Sequence, residues 1–363
     1  MIGPESRSVP LATGTLHLDV LRADWPLDVL CDFAVRRNPR RAFLIVSKVL
    51  GRHIPVAPSV MRASVRDLAA RVPELPGPVL VVGLAETAVC LGQSVFEELA
   101  RRPGFDGLFI HSTRQQIAHP LLCRFEEPHS HASAHLIYCP EGIDLASIRS
   151  LVLVDDEVST GNTLVNLATA LIEHLPKVEQ IVTAALTDWS AGSDWLARMP
   201  RPASCASLLH GSLRWEAAAA PPTDTGNFDR AAPALGALDE HRNWGRTGWN
   251  GSPLDLPEPP ATAERIRIVC TGEFTYPPFL LAERLEATGH DVVVQSTSRS
   301  PALPGGAIHH TLAFEDNCAT ALPNFLYNAD PDDARLTLIC HETPLGSIDP
   351  ALIQALEATP VRF

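Results

Sequence analysis

The sequence predicts two α/β units in tandem, each built on a parallel sheet. Three observations carry this. Short, largely apolar runs alternate with amphipathic stretches of helical period, the order expected of parallel strands joined by helices. The runs lack the in-and-out alternation of half-exposed strands, so they read as strands covered on both faces. The pattern breaks off after Trp215 and restarts beyond residue 260. A length of 363 residues accommodates two such units.

In chain order, strands of the first unit are predicted at residues 79–82, 108–110, 136–138, 151–154, 181–186 and 206–209. Residues 164–172 carry a helical pattern directly after the fourth strand. Residues 1–216 thus form the first domain. Residues 217–260 are rich in Ala, Pro, Gly and Asn without steady period and read as a linker. Within it, residues 242–249 (Arg-Asn-Trp-Gly-Arg-Thr-Gly-Trp) are too aromatic for a free tether and are expected to pack on a domain surface. The second, smaller α/β domain spans 261–363. Its strands are predicted at 266–270, 291–295 and 336–340, with a helix running through Leu285. Polar loops follow these strands: Thr271-Gly272-Glu273, Thr297-Ser298-Arg299 and His341-Glu342. Parallel strands would gather them on one edge, where open α/β sheets bind ligands. Gly272, Glu273, Thr297, Arg299 and Glu342 are therefore expected to form a second small-molecule site.

Residues 151–163 are the most informative stretch: Leu-Val-Leu-Val-Asp-Asp-Glu-Val-Ser-Thr-Gly-Asn-Thr. A buried strand runs into an acidic pair, then into a hydroxyl- and glycine-rich turn that opens a helix. Such a junction presents backbone N–H groups and the positive end of a helix dipole, which suits a phosphate. Ser159, Thr160 and Thr163 add hydroxyls, and Gly161 allows close approach. Asp155 and Asp156 repel phosphate, so vicinal sugar hydroxyls or a metal's water shell are their natural partners. A phosphate nest beside a diol-binding acid pair describes a ribose 5-phosphate site. The rival, a nucleotide-hydrolase acidic strand, needs a lysine-bearing phosphate loop. The only two lysines, Lys48 and Lys177, sit in no such loop.

Asp155-Asp156-x-x-Ser159-Thr160-Gly161-x-Thr163 resembles the phosphoribosyl pyrophosphate motif of type I phosphoribosyltransferases, with Glu157 and Ser159 departing from its commonest form. Residues 261–363 resemble the domain named for a Thr-Arg-Ser-Pro signature, here Ser298-Arg299-Ser300-Pro301, which accompanies a tellurium-resistance-associated subfamily of these enzymes. The resemblance implies the type I phosphoribosyltransferase fold, a parallel sheet flanked by helices and carrying a hood and a flap. It implies that Asp155 and Asp156 hold the ribose hydroxyls and a Mg2+ cofactor, and that the turn with Ser159, Thr160, Gly161, Asn162 and Thr163 holds the 5-phosphate, with Glu157 and Val158 also in the substrate site. Ala85, Glu86, Thr87 and Ala88 fall at the pyrophosphate loop, and Arg114 falls where a cation reaches the pyrophosphate. A plain strand–helix turn is the alternative at 85–88. Residues 115–135 fall at the catalytic flap, with His129, His131 and His135 beside Glu126 and Glu127. They read as a lid in which His131 does acid–base work, in preference to a zinc site. The basic N-terminal run, residues 37–41 and 47–55 with Lys48, Arg52 and His53, would form a hood over the phosphates, a solvated basic face being the alternative.

The implied activity is Mg-dependent transfer from phosphoribosyl pyrophosphate to a base or other acceptor that the sequence does not identify, or the reverse release of a base from a nucleotide. A non-catalytic nucleotide sensor and an interaction protein of a stress-response complex are the alternatives. A net charge of −13 argues against a nucleic-acid partner. No apolar run is long enough for a bilayer span, so no membrane partner is expected. No secretory signal pattern is evident. Eight cysteines without a Cys-x-x-Cys pair, several in apolar runs, read as buried free thiols of a cytoplasmic protein. A dimerisation role for the C-terminal unit would make the molecule a homodimer.

Overall fold

The structure is a computed structural model and describes residues 2–36, 41–126, 134–218, 238, 242–258, 263–320 and 322–363. A seven-stranded sheet organises the first unit. Its strands run in the order Glu5–Leu11, Gly14–Ala23, Ala203–Ala217, Gln180–Asp188, Ser150–Val158, Val79–Gly83 and Gly107–His111. The last five are parallel. The first two are an antiparallel hairpin added at one edge. The central strands are apolar throughout because both faces are covered: Val81, Val82, Leu151, Val152, Leu153 and Val154 expose nothing. Helices Val89–Ala100 and Asn162–Ile172 are crossovers between parallel neighbours.

One expected strand lies elsewhere. Ala134–Tyr138 pairs with Leu121–Glu126 as a separate antiparallel hairpin and does not join the central sheet. This hairpin leans on helix Asn162–Ile172, where Asn166 donates to the Glu126 carbonyl at 3.0 Å. The strands Glu5–Leu11, Gly14–Ala23, Cys31–Arg36, Phe43–Ser47 and Thr359–Arg362 lie where the sequence reading places no strands.

The second unit is a four-stranded parallel sheet ordered Asp291–Ser296, Arg265–Cys270, Leu336–His341 and Thr359–Arg362. Helix Tyr276–Ala287 follows its first strand in the chain. The units are stitched together. Ala302–Leu303 of the second pairs with Cys31–Arg36 of the first, which pairs in turn with Phe43–Ser47. Val56 and Val294 exchange backbone hydrogen bonds of 3.0 and 2.8 Å. Arg62, on helix Pro58–Arg71, binds both Glu283 oxygens at 2.8 and 2.7 Å and Glu97 at 2.8 Å, with its guanidinium over the Phe279 ring. One apolar core runs through both units.

Residues 242–258 run across this junction. Trp249 exchanges backbone hydrogen bonds of 2.9 Å with Phe109, and its ring packs on Phe96 and Tyr276. Trp244 packs on Phe274 and Phe363. Arg246 and Glu342 form a fully buried two-pronged ion pair.

The packing sets the two parallel sheets with their carboxyl ends facing each other. Thr113 and the Arg114 backbone N–H, beyond one sheet, donate to the carboxylate of Glu273, beyond the other. Such ends are where α/β sheets offer free loops to ligands.

Candidate active site

A cleft with about 200 Å³ of open space lies between the facing edges. Its floor comes from the strand Ser150–Val158 and the turn after it. Asp155 and Asp156 leave the end of this strand, and residues 157–164 continue along the wall. The strand ends at Val158, and Gly161, in a left-handed conformation (φ +70°), caps the helix Asn162–Ile172. The amides of that helix's first turn are not consumed by its own ladder. Arg198 braces the turn from outside, donating to Asn162 Oδ1 at 2.8 Å and to the Thr160 carbonyl at 3.1 Å. The indole of Trp195 underlies it so closely that a Cβ on residue 161 would meet the ring at 2.3 Å.

The loop after Val79–Gly83 brings Ala85, Glu86 and Thr87 to the cleft. Thr87 donates to Asp156 Oδ1 at 2.7 Å, which fixes one carboxylate of the acid pair. The Ala85 N–H donates to Ser112 Oγ at 2.9 Å, and Ser112 Oγ lies 3.1 Å from Nδ1 of buried His135. His135 stacks on Phe125 at 4.6 Å between centroids, so the paired strands Leu121–Glu126 and Ala134–Tyr138 support this loop. Ala88 does not reach the cleft, because it is fully buried at the start of helix Val89–Ala100.

Among the described residues, Arg36, Arg41, Arg52, Arg114 and Arg299 line the cleft. Arg52 is ion-paired with Glu86 and also donates to the Gly272 carbonyl at 2.8 Å and to Ser296 Oγ at 3.1 Å. Burial raises the pKa of Glu86, but the guanidiniums of Arg52, Arg299 and Arg114 outweigh that and hold it below its ordinary value. Arg41 is ion-paired with Glu157. Burial outweighs Arg41 there, and neighbouring Asp156 adds repulsion, so the Glu157 carboxyl is pushed above its ordinary pKa.

Two expected placements need correction. Lys48 is not among the residues that line the cleft; its ammonium donates to the Asp28 carbonyl, in the short helix Leu27–Leu30, at 2.6 Å. Nor do Gly272, Glu273, Thr297, Arg299 and Glu342 surround a cavity of their own. Glu273 is bound to Thr113 and Arg114, Glu342 to Arg246, and the Thr297 hydroxyl receives the Gly272 N–H at 2.8 Å. Arg299 lines the same cleft as Asp155, between Glu86 (3.8 Å) and Asp316 (2.9 Å). His129, His131 and Glu127 lie outside the described residues.

Arg36, Leu44, Ile45, Ser300, Leu322 and Pro323 line the cleft without having been expected there, whereas His53 belongs to the basic run expected over the phosphates. The arginine-rich run before residue 53 was the available signal for the first part of this set; Leu322 and Pro323 carry none.

The donor set bears on a metal. Among the described residues no group of three or more His, Cys, Asp or Glu forms a protein-only cage. Two adjacent carboxylates, Asp155 and Asp156, line the cleft. That set fits Mg2+, which keeps waters and is completed by substrate oxygens.

No curated protein matches the chain. Among solved structures it is similar to adenine phosphoribosyltransferase from Rhodothermus marinus, at 15% identity over 51% of this chain and 96% of that one, with a TM-score of 0.35. It is also similar to adenine phosphoribosyl transferase from Trypanosoma brucei, solved with AMP, pyrophosphate and ribose-5-phosphate, at 16% identity over 52% of this chain and 82% of that one, with a TM-score of 0.35. The model of the family described as phosphoribosyl transferase matches residues 30–212, just over half of the chain. That of the TRSP domain, found C-terminal to this transferase, matches residues 254–356. The chain belongs to this phosphoribosyl transferase family and is a phosphoribosyltransferase that carries a C-terminal TRSP domain.

Proposed function

We propose that the cleft binds 5-phosphoribosyl pyrophosphate with Mg2+ and joins its phosphoribosyl group to a nitrogen base, or runs the reverse reaction. The observation that carries this is the acid pair Asp155–Asp156 set in one cleft with the glycine-capped helix turn 158–163. Phosphate on the turn's amides and hydroxyls would place the ribose hydroxyls against the two carboxylates. Bound Mg2+, held by Asp155 and Asp156 together with substrate oxygens, would offset charge on the pyrophosphate.

In the forward step the C1–oxygen bond breaks and its electron pair leaves on pyrophosphate. The base nitrogen supplies the pair for the new C1–N bond and loses its proton. The sugar becomes oxocarbenium-like on the way, and Asp155 and Asp156 stabilise that positive charge. Arg114 and the 85–87 loop line the side on which pyrophosphate would sit, and a guanidinium suits its oxygens. The reading also places the enzyme in a tellurium-resistance-associated stress pathway and a reducing, cytoplasmic setting. All eight cysteines are free thiols, which supports the latter.

Calorimetry of phosphoribosyl pyrophosphate binding with and without Mg2+ tests the proposal. Binding should require Mg2+ and weaken at least ten-fold in Asp155→Asn/Asp156→Asn and in Thr160→Ala. Undiminished binding in both variants would sink it.

A further inference from the structure

The 85–87 loop, on the side where pyrophosphate would sit, carries a carboxylate that such a site does not call for. Glu86 lies in this loop and lines the cleft. A carboxylate beside a polyanion repels it, so the surroundings of Glu86 decide what it does there. Three guanidiniums converge on it. Arg52 is ion-paired with one of its oxygens. Arg299 Nε lies 3.8 Å from the other, and the Arg299 backbone N–H donates to the same carboxylate. The positive charge of Arg114 acts on it as well. The loop thus presents an anion that is already seated among cations.

These cations do not owe their positions to Glu86. Arg52 also donates to the Gly272 carbonyl at 2.8 Å and to Ser296 Oγ at 3.1 Å. Arg299 donates to Asp316 Oδ2 at 2.9 Å, and Asp316 Oδ1 accepts the Thr320 N–H at 3.0 Å. The loop that carries Arg299 is pinned on both sides. Ser298 exchanges backbone hydrogen bonds of 2.8 Å with Phe325, and the Ser300 N–H donates to Ser298 Oγ at 3.1 Å. Just beyond, Ala302–Leu303 extends the sheet of Cys31–Arg36 and Phe43–Ser47. At 3.8 Å the guanidinium of Arg299 meets Glu86 by charge alone, without a hydrogen bond. Its side chain keeps 18% of its surface open. Arg299 is therefore a fixed cation with a loose hold on Glu86, and a stronger anion can take it up without dismantling its support.

We propose that Glu86 is a built-in competitor of the donor's pyrophosphate group. It occupies the cations of the leaving-group site until the donor arrives, and Arg299 of the C-terminal unit then turns to the pyrophosphate oxygens beside Arg114. The inference rests on the reading of the cleft as a phosphoribosyl transfer site. It gives the Ser298-Arg299-Ser300-Pro301 signature a task, the supply of a leaving-group cation from the second unit. It also makes Glu86 the residue that weakens the hold on pyrophosphate, because donor affinity is what remains after the carboxylate has been displaced.

The test is calorimetry of the full-length chain with Mg2+ and two probes. Phosphoribosyl pyrophosphate carries the leaving group; ribose 5-phosphate lacks it. Glu86→Gln removes the charge but keeps the size of the side chain and an acceptor for Arg52. It should lower the Kd for phosphoribosyl pyrophosphate at least about five-fold, and Arg299→Ala should raise it at least about five-fold. The Kd for ribose 5-phosphate should stay within about two-fold of the parent in both variants, since its phosphate belongs to the 159–163 turn. A role confined to packing would move both probes together. A smaller fall in Glu86→Gln, or a rise, overturns the inference and leaves the proposed function standing. So does a smaller rise in Arg299→Ala, or a larger shift for ribose 5-phosphate in either variant. Should Arg299→Ala fail to fold, Arg299→Gln takes its place, and Glu86→Gln decides by itself. A parent protein that does not bind phosphoribosyl pyrophosphate overturns the proposed function and the inference with it.

Discussion

Gly161 concentrates the chemistry of the cleft into one backbone angle. Its left-handed φ caps the helix Asn162–Ile172, and the Trp195 ring fills the space a side chain would need. Gly161→Ala should therefore displace the turn, lowering the melting temperature and weakening phosphoribosyl pyrophosphate binding at least ten-fold, about 1.4 kcal/mol. Wild-type affinity in that variant would mean the turn does not hold the phosphate. His111 carries a different consequence. Burial, reinforced by the nearby Arg246 charge, holds its pKa down to about 3, against an ordinary 6.5. The folded protein keeps it neutral while the unfolded chain takes up a proton. Its contribution to stability is therefore full above pH 6.5 and is lost as the pH falls toward 3. Urea unfolding of the parent between pH 7.5 and 5 should show this fall. His111→Asn should flatten it by about one proton, and an equal slope in the two proteins would refute the assignment. At this scale the sequence was most readable where chemistry is local. Asp155, Asp156 and the 158–163 turn are contiguous, so one stretch of chain determines their arrangement. Lys48 misled because a positive charge does not reveal which way the chain turns it.

Among the elements, the connector does more than join. Its Trp249 extends the edge strand Gly107–His111, and its Arg246 crosses to Glu342 at the end of Leu336–His341. Arg246→Ala would strand Glu342 in a dry interior, at a cost of about 3–5 kcal/mol. The double variant Arg246→Met/Glu342→Leu, which removes both charges and keeps the volume, should recover most of that. Urea denaturation decides; a single variant within about 1 kcal/mol of the parent would show that solvent reaches the pair. Strands covered on both faces announce themselves as apolar runs, unbroken at 79–82 and 151–154 and interrupted only by Thr183 at 181–186, which is why these are legible. The N-terminal hairpin Glu5–Ala23 carries a weaker signal, the alternation of buried Leu16, Leu18 and Val20 with half-buried or exposed neighbours. The strand Ala134–Tyr138 has the composition of a central strand but pairs locally with Leu121–Glu126. Composition predicts a strand; it does not predict its partner.

At the scale of the whole molecule, two parallel sheets turn their carboxyl ends toward one cleft. Glu273, Arg299 and Glu342 are at the sheet edge that the strand pattern implies, but two of them bind the first unit and the connector, and the third enters the shared cleft. What faces a sheet edge depends on contacts between residues far apart in sequence, such as Arg52 with Gly272 and Glu86 with Arg299, and no local pattern encodes those. The edge was legible and its counterpart was not. The central claim is that one composite cleft holds the phosphoribosyl donor. A crystal structure of the full chain with phosphoribosyl pyrophosphate and Mg2+ tests it most directly. The account predicts the 5-phosphate on the 159–163 turn, the ribose hydroxyls on Asp155 and Asp156, and the pyrophosphate between the 85–87 loop and Arg114. A donor bound elsewhere, or seated with its 5-phosphate away from the 159–163 turn, would contradict it.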